Sequence, residues 1–256
     1  MISLKIDIAH ERDGAKIKTR TKKFQCPTDW DEITFEQYIQ MMKVFNSHED
    51  IKMRELLVLS IFTGISATDW AQATADQQNI IFECLKFLNE APKIDQIKAP
   101  KHFIYKDNQY PIPRDLEQLT YRQMVTIQGI FQIVTMNWEE QKKNEGDKMP
   151  DWWVIQEWPR LVAYGMQPII DGVVQVDEAR AEELANDFKQ MPVLDIYPIA
   201  NFFFAKTLKF KLHGVKDLQE TTKEKKEKPI LKGWRSLGRY LRRSRSRGEI
   251  PRSLKH

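Results

Sequence analysis

The sequence predicts a mainly α-helical protein with a small N-terminal β-hairpin, a second short hairpin further along and a basic C-terminal tail. Two stretches, 33–45 and 119–131, indicate the helices, because in each a threonine is followed three residues later by a glutamine. This is the capping-box pattern, in which hydroxyl and amide bond to backbone groups at a helix start. Apolar residues then recur at helical spacing, at positions 35, 38, 42 and 45 and at 121, 124, 127 and 131. Each helix should therefore bury one face.

The N-terminal segment has the pattern of a β-hairpin. Residues 2–8 alternate apolar and polar side chains, and residues 16–25 follow a turn at Asp13-Gly14. We therefore expect a hairpin arm over residues 1–27. Two strands alone are marginally stable, so this arm must dock on the helices or pair with a neighbouring chain. A second hairpin is expected at 101–113, around Lys106-Asp107-Asn108.

The remaining helices define a helical body over residues 28–214. The stretch 48–63 is apolar nearly all round and is followed by Gly64, which is typical of a central helix with a glycine cap. Asp177 should cap a helix that reaches about Gln190. The body can be divided into two helical layers, 28–92 and 114–214, joined by the hairpin at 101–113. A linker and a basic arm follow at 215–256.

Composition and spacing favour no catalytic chemistry. Ten glycines in 256 residues are few for a fold built on glycine-rich phosphate loops. Cys26 and Cys84 do not make a disulfide framework, and neither H-E-x-x-H nor Cys-x-x-Cys occurs. The sequence therefore predicts reduced thiols and no catalytic residue, cofactor or metal site. The longest apolar stretch, 196–205, is about ten residues against the ~20 that a bilayer requires, so no membrane span is expected.

Two aromatic clusters are candidate partner-binding sites. Tryptophan is enriched at binding hot spots, and three phenylalanines in a row cannot all face one side of a helix. The alternative is that these side chains are ordinary core aromatics. For the tryptophans, the spacing of 152, 155 and 158 predicts that these residues share one face of a helix. Pro159 should end or kink that helix. The candidate residues are Trp152, Trp153, Trp158, Phe202, Phe203 and Phe204.

The C-terminal segment is strongly basic. Residues 215–256 contain fourteen Lys or Arg and five Asp or Glu, a balance of +9, whereas residues 1–214 contain 26 and 31, a balance of −5. Apolar residues at 230, 234, 237 and 241 indicate a basic amphipathic helix that would be incomplete without a partner. The residues that would contact nucleic acid or an acidic partner are Lys232, Arg235, Arg239, Arg242, Arg243, Arg245 and Arg247. A solubilising tail, an arm that wraps an acidic neighbouring subunit and a membrane-surface helix are the alternatives.

Four segments together resemble a known group of proteins. They are 30–38, with the first capping box; 57–66, with the helix end at Gly64; 119–123, with the second capping box; and 196–204, with the three phenylalanines. This pattern, over about residues 28–210, resembles tailed-bacteriophage assembly proteins. The similar proteins are tail assembly chaperones and neck or tail components of phages that infect Bacteroides-like hosts.

The resemblance implies a non-enzymatic virion structural or assembly protein that acts through protein–protein contacts. It would be either a neck or tail connector subunit or a tail assembly chaperone. Its partners would be other phage structural proteins and further copies of itself, in a homo-oligomer or ring, with DNA as a further contact of the tail. It would work in the host cytoplasm during assembly, with the virion as the alternative location. The hypothesis from another class is a nucleic-acid-binding module that uses the basic C-terminal segment.

Overall fold

The computed structural model describes residues 1–12, 15–47, 50–90, 99–113, 119–142 and 147–214, without the side chains of 9–12, 15–19, 121–122 and 206–214. The described chain is mainly helical with two antiparallel hairpins, which confirms the predicted fold class. The predicted linker and basic arm at 215–256 lie outside the described residues.

The described residues form helices and two pairs of strands. In chain order they are β1 (Ile2–Arg12), β2 (Ala15–Cys26), α1 (Phe35–Phe45), α2 (Ile51–Thr63), α3 (Ala67–Gln72), α4 (Ala75–Cys84), β3 (His102–Tyr105), β4 (Asn108–Pro111), α5 (Tyr121–Gln141), α6 (Asp151–Ile155), α7 (Trp158–Asp171), α8 (Glu178–Lys189) and α9 (Val193–Gly214). Short 3-10 turns lie at Trp30–Glu32 and Leu85–Asn89.

The described residues form two compact units. Unit 1 comprises the described residues of Met1–Trp30 and Val44–Pro92, and unit 2 comprises Asp31–Lys43 with the described residues of 99–214. The N-terminal hairpin thus shares a unit with α2, α3 and α4. The segment before α1 belongs to unit 2 because Val193 N donates to Ile33 O at 2.8 Å and Phe35 N donates to Met191 O at 2.9 Å.

In unit 1, a buried tryptophan holds the hairpin on the helices. Strands β1 and β2 pair from Ile2 opposite Cys26 to Arg12 opposite Ala15. The Trp70 ring is fully buried and meets Phe24 of β2 edge to face, with ring centres 5.7 Å apart. Its indole Nε1 donates to Thr63 Oγ1 at 3.0 Å, so α2, α3 and β2 share one packed contact. The hairpin was predicted to require a docking surface, and α2 and α3 of this unit provide one.

The ends of α2 follow from local hydrogen bonds. Asp50 Oδ1 accepts from Met53 N at 2.8 Å, so the helix begins at Ile51 and not at His48 as the apolar pattern predicted. Gly64 ends it with φ of 68°, a left-handed conformation that glycine adopts without a Cβ clash. Its backbone N–H donates to Ser60 O, as predicted for a glycine cap.

In unit 2, the second hairpin packs on α8. Lys106 and Asp107 have φ of 47° and 63°, the left-handed pair that a tight two-residue turn requires. The Phe103 and Tyr105 rings then meet the Phe188 ring edge to face at 5.1 and 5.4 Å. Since Phe188 is fully buried, this aromatic cluster anchors the hairpin to the helices of unit 2.

Candidate protein-contact surface

The buried face of α5 is turned away from the one predicted. Ile127 is buried as expected, but its buried neighbours are Gln123, Ile130 and Val134. Gln123 is buried because it completes the capping box with Thr120, and its Nε2 also faces the carbonyl oxygens of α7 at Tyr164 and Gly165. The local cap and the contact with α7 together set the rotation of the helix.

This rotation leaves large apolar side chains on the opposite side of α5. Val125 is 47% exposed, Ile133 50% and Met136 62%. Their spacing of eight and three residues places them on one side of the helix, within about a quarter turn. An apolar side chain that a helix does not bury within its own unit is a candidate for contact with another polypeptide.

A groove lies beside this stripe. Its volume is about 490 Å³, and among the described residues only Gln132 and Thr135 contribute polar side chains to its lining. We call this surface the α5 groove. Its residues are Phe131, Gln132, Val134, Thr135, Met136, Met149, Val154 and Phe204. The groove is therefore formed by α5, α6, α9 and the segment before α6.

Two of the predicted tryptophans stand next to the α5 groove. Trp153 Nε1 donates to the carbonyl oxygen of Val134 at 3.0 Å, and its ring meets Trp138 and Trp152 at 5.5 and 5.2 Å. Lys43 Nζ lies 5.3 Å from the centre of the Trp152 ring, a cation–π distance. Burial also raises the pKa of Asp151, at the start of α6, above its usual value. The Trp153 contacts hold α6 against α5, and the Lys43 contact joins α6 to α1.

The other aromatic candidates divide between groove and core. Phe204 lines the groove and meets Phe131 with ring centres 5.1 Å apart. Phe202 is half-buried against Phe203. Trp158 and Phe203 are 1% and 0% exposed, so both side chains belong to the core of unit 2. Only four of the six aromatic candidates thus keep accessible surface.

The predicted tryptophan face on a single helix is wrong. Helix α6 ends at Ile155, and α7 begins at Trp158 with Pro159 in its first turn. Proline fits there because its missing N–H would have no intrahelical acceptor. Trp152 and Trp158 consequently belong to different helices, and only Trp152 is partly exposed. The seven basic candidates from Lys232 to Arg247 lie outside the described residues.

The exposed apolar residues of α5 were not among the predicted contact residues. The signal was present, because apolar side chains in 125–136 occupy more positions than one helix face can bury. Such an excess indicates a second contact face.

Reactive groups are few in the described residues. The Cys26 thiol is fully buried, and burial together with the neighbouring Cys84 thiol raises the pKa of Cys26 to about 12. That thiol stays protonated near neutral pH, whereas the nucleophilic form of cysteine is the thiolate. No three His, Cys, Asp or Glu side chains in the described ranges lie close enough together to hold a metal ion. None of the described helices combines the length and hydropathy that a membrane crossing requires.

Comparisons with protein-family models, with curated proteins and with solved structures found no match to this chain.

Proposed function

We propose that this chain is a non-enzymatic structural or assembly protein of a tailed bacteriophage, either a neck or tail connector subunit or a tail assembly chaperone. The observation that carries the proposal is the α5 groove, an apolar surface on a helical unit that leaves Met136 and Ile133 exposed. The resemblance of residues 28–210 to phage assembly proteins supplies the viral context. Contact with other polypeptides is the activity that such a surface supports.

An apolar groove can bind an apolar helix face, and the sequence contains a segment with such a face. Ile230, Trp234, Leu237 and Leu241 recur at spacings of four, three and four, the pattern of a helix that lays one apolar face into a groove. Arginines and a lysine surround these positions. Near the α5 groove, Glu139 and Glu140 are exposed one turn beyond Thr135 and Met136. Glu139 is ion-paired with Lys142, so Glu140 is the carboxylate that is opposite in charge to the segment.

We assign the groove to the 230–241 segment of a neighbouring copy of the chain. Fifteen residues separate Gly214, where α9 ends, from Ile230, and an extended chain of that length spans up to about 50 Å. That reach is sufficient for one subunit to clasp the next. The arrangement generates a homo-oligomer or ring, in which each copy offers a groove and inserts a helix.

Replacing Met136 with arginine should dissociate this oligomer. The new guanidinium would stand in the apolar groove against a basic helix, so we expect association to weaken by about tenfold or more. Light scattering coupled to size-exclusion chromatography of the full chain measures the mass. Met136 is 62% exposed, so the variant should fold normally.

The matched control for the groove variant is Val174→Arg, which changes a 79% exposed apolar residue that does not line the groove. It should keep the mass of the wild-type oligomer, and Leu237→Glu, on the inserted helix, should lose it. A wild-type chain that is monomeric at micromolar concentration would contradict the assignment of the groove to a second copy.

The viral role is tested separately by quantitative mass spectrometry of purified phage particles and infected-cell lysate. A fixed small number of copies per particle is expected for a connector subunit. Abundance in the lysate with absence from particles is expected for a chaperone. Absence of the chain from both would overturn the phage proposal.

A nucleic-acid-binding module is the second candidate, and the charge of +9 on residues 215–256 favours it. It predicts that the full chain binds duplex DNA without sequence preference and that affinity falls steeply with salt, because clustered cations release counterions. Replacing Arg242, Arg243, Arg245 and Arg247 together with glutamine should then remove most binding in a salt titration. Binding that is insensitive to these four substitutions would exclude this function for the segment.

A further inference from the structure

Unit 1 contains a cavity that the proposed function does not use. Its volume is about 300 Å³, which is at the small end of the range for ligand sites. It lies among α2, α4 and the 3-10 turn Leu85–Asn89, and its lining includes the phenylalanine rings Phe45 and Phe82. Both charged and amide side chains face it, so it is not a simple packing defect.

The two cationic side chains that line the cavity are already engaged. Arg54 donates a guanidinium N–H to the carbonyl oxygen of Ser47 at 2.9 Å. Lys86 forms an ion pair with Glu83, one helical turn earlier. Gln78 directs its amide nitrogen to the carbonyl oxygens of Trp70 and Ala73 at 2.7 and 3.4 Å. The Lys86 ammonium and the Gln78 amide are therefore committed to the protein itself.

Two acceptors in the same lining have no such partner. Asn89 Oδ1 is buried without a hydrogen-bond donor among the described residues, and a buried acceptor left unpaired costs about 1–3 kcal/mol. The Glu55 carboxylate also receives no hydrogen bond from the described part of the chain, and burial raises its pKa above the usual value. The cavity thus presents a half-buried carboxylate and a buried amide oxygen, neither of which has a hydrogen-bond donor among the described residues.

From this arrangement we infer that the cavity binds the guanidinium or ammonium end of a small organic cation or of an arginine or lysine side chain. Such a group supplies hydrogen-bond donors for the Glu55 carboxylate and for Asn89 Oδ1. Phe45 and Phe82 add aromatic surface, on which cations bind favourably. The bound cation would donate hydrogen bonds to the two acceptors, Glu55 and Asn89 Oδ1, in place of water.

The test uses the full chain, labelled with ¹⁵N, and three capped or simple probes. Nα-acetyl-arginine amide has a charged side chain and no other charge, whereas Nα-acetyl-citrulline amide has nearly the same shape and is neutral. Saturable shifts of amide resonances from α2 and α4 are expected with the arginine probe, and citrulline should bind about tenfold or more weakly because its hydrogen bonds are not charge-assisted. Agmatine separates the two sources: binding of agmatine alone indicates a free cation, and binding of the arginine amide alone indicates a protein side chain.

Glu55→Gln keeps the shape of the side chain and should lower affinity for the arginine probe by about tenfold or more, because the charged acceptor is lost. Asp76→Asn is the matched control, since Asp76 is an exposed carboxylate on α4 that does not line the cavity. It should leave affinity unchanged. Equal binding of arginine and citrulline amides, no binding of any probe, or full affinity in the Glu55→Gln variant would each overturn the inference. These outcomes are independent of the oligomer tests, because the cavity and the α5 groove belong to different units.

Discussion

Replacing Phe188 with alanine should lower the free energy of unfolding by about 3–5 kcal/mol, the range for removing a fully buried aromatic ring. Phe188 is 0% exposed and lies on α8. The Phe188 ring contacts the rings of Phe103 and Tyr105 in β3. The substitution therefore removes the contacts that hold the second hairpin on the helices. Urea unfolding followed by circular dichroism and tryptophan fluorescence measures the change.

Ile104 provides the matched control for this variant. It lies between Phe103 and Tyr105 on the same strand but points outward and is 58% exposed. Ile104→Ala should change stability by no more than about 0.5 kcal/mol. If Phe188→Ala were no more destabilising than Ile104→Ala, the hairpin would not be anchored by this aromatic cluster.

Replacing Gly165 with alanine should destabilise the protein by about 1–3 kcal/mol, although alanine is normally the better helix former by about 1 kcal/mol. The reason is the close approach of α7 and α9. A Cβ at position 165 would lie 2.7 Å from Cζ and 2.9 Å from Cε2 of the Phe203 ring. Phe203 is completely buried, so its ring cannot move aside without disturbing the core of unit 2.

Gly129 is the matched control, because it is also a helical glycine and a Cβ there would meet nothing within 4 Å. Gly129→Ala on α5 should stabilise the protein by about 0.4–1 kcal/mol through the unfolded state. Adding Phe203→Leu to Gly165→Ala should recover part of the lost stability by making room for the methyl group. Equal stabilisation by both glycine substitutions would show that α7 and α9 do not pack as closely as described.

Much of the local structure could be predicted because its causes lie within a few residues of the chain. The predicted capping pairs Thr34 with Gln37 and Thr120 with Gln123 form as expected, and Thr74 with Gln77 forms the same kind of pair at the start of α4. Asp177 accepts from Arg180 N at the start of α8. These hydrogen bonds join residues three apart, so the helix start determines them whatever the helix packs against.

The candidate surfaces were harder to predict, because exposure depends on contacts between distant segments. Trp152 and Trp158 have the same chemistry and are six positions apart, yet one is half-buried and the other lies in the core of unit 2. The difference arises where α6 ends and α7 begins, and Trp158 then packs on Tyr197 of α9 with ring centres 4.5 Å apart. The spacing of residues 152–158 carries no information about a contact with Tyr197, because Tyr197 lies about forty positions away in the chain.

The sequence by itself determined the helical class, the two hairpins and the residues that begin and end several helices, because short-range hydrogen bonds and apolar periodicity are sufficient for these. The tertiary structure alone decided which unit each element joins and which face of α5 is left exposed. It also decided that Glu55 and Asn89 line one cavity. Those outcomes depend on packing between residues tens of positions apart, where shape and burial choose among arrangements that the same local pattern allows.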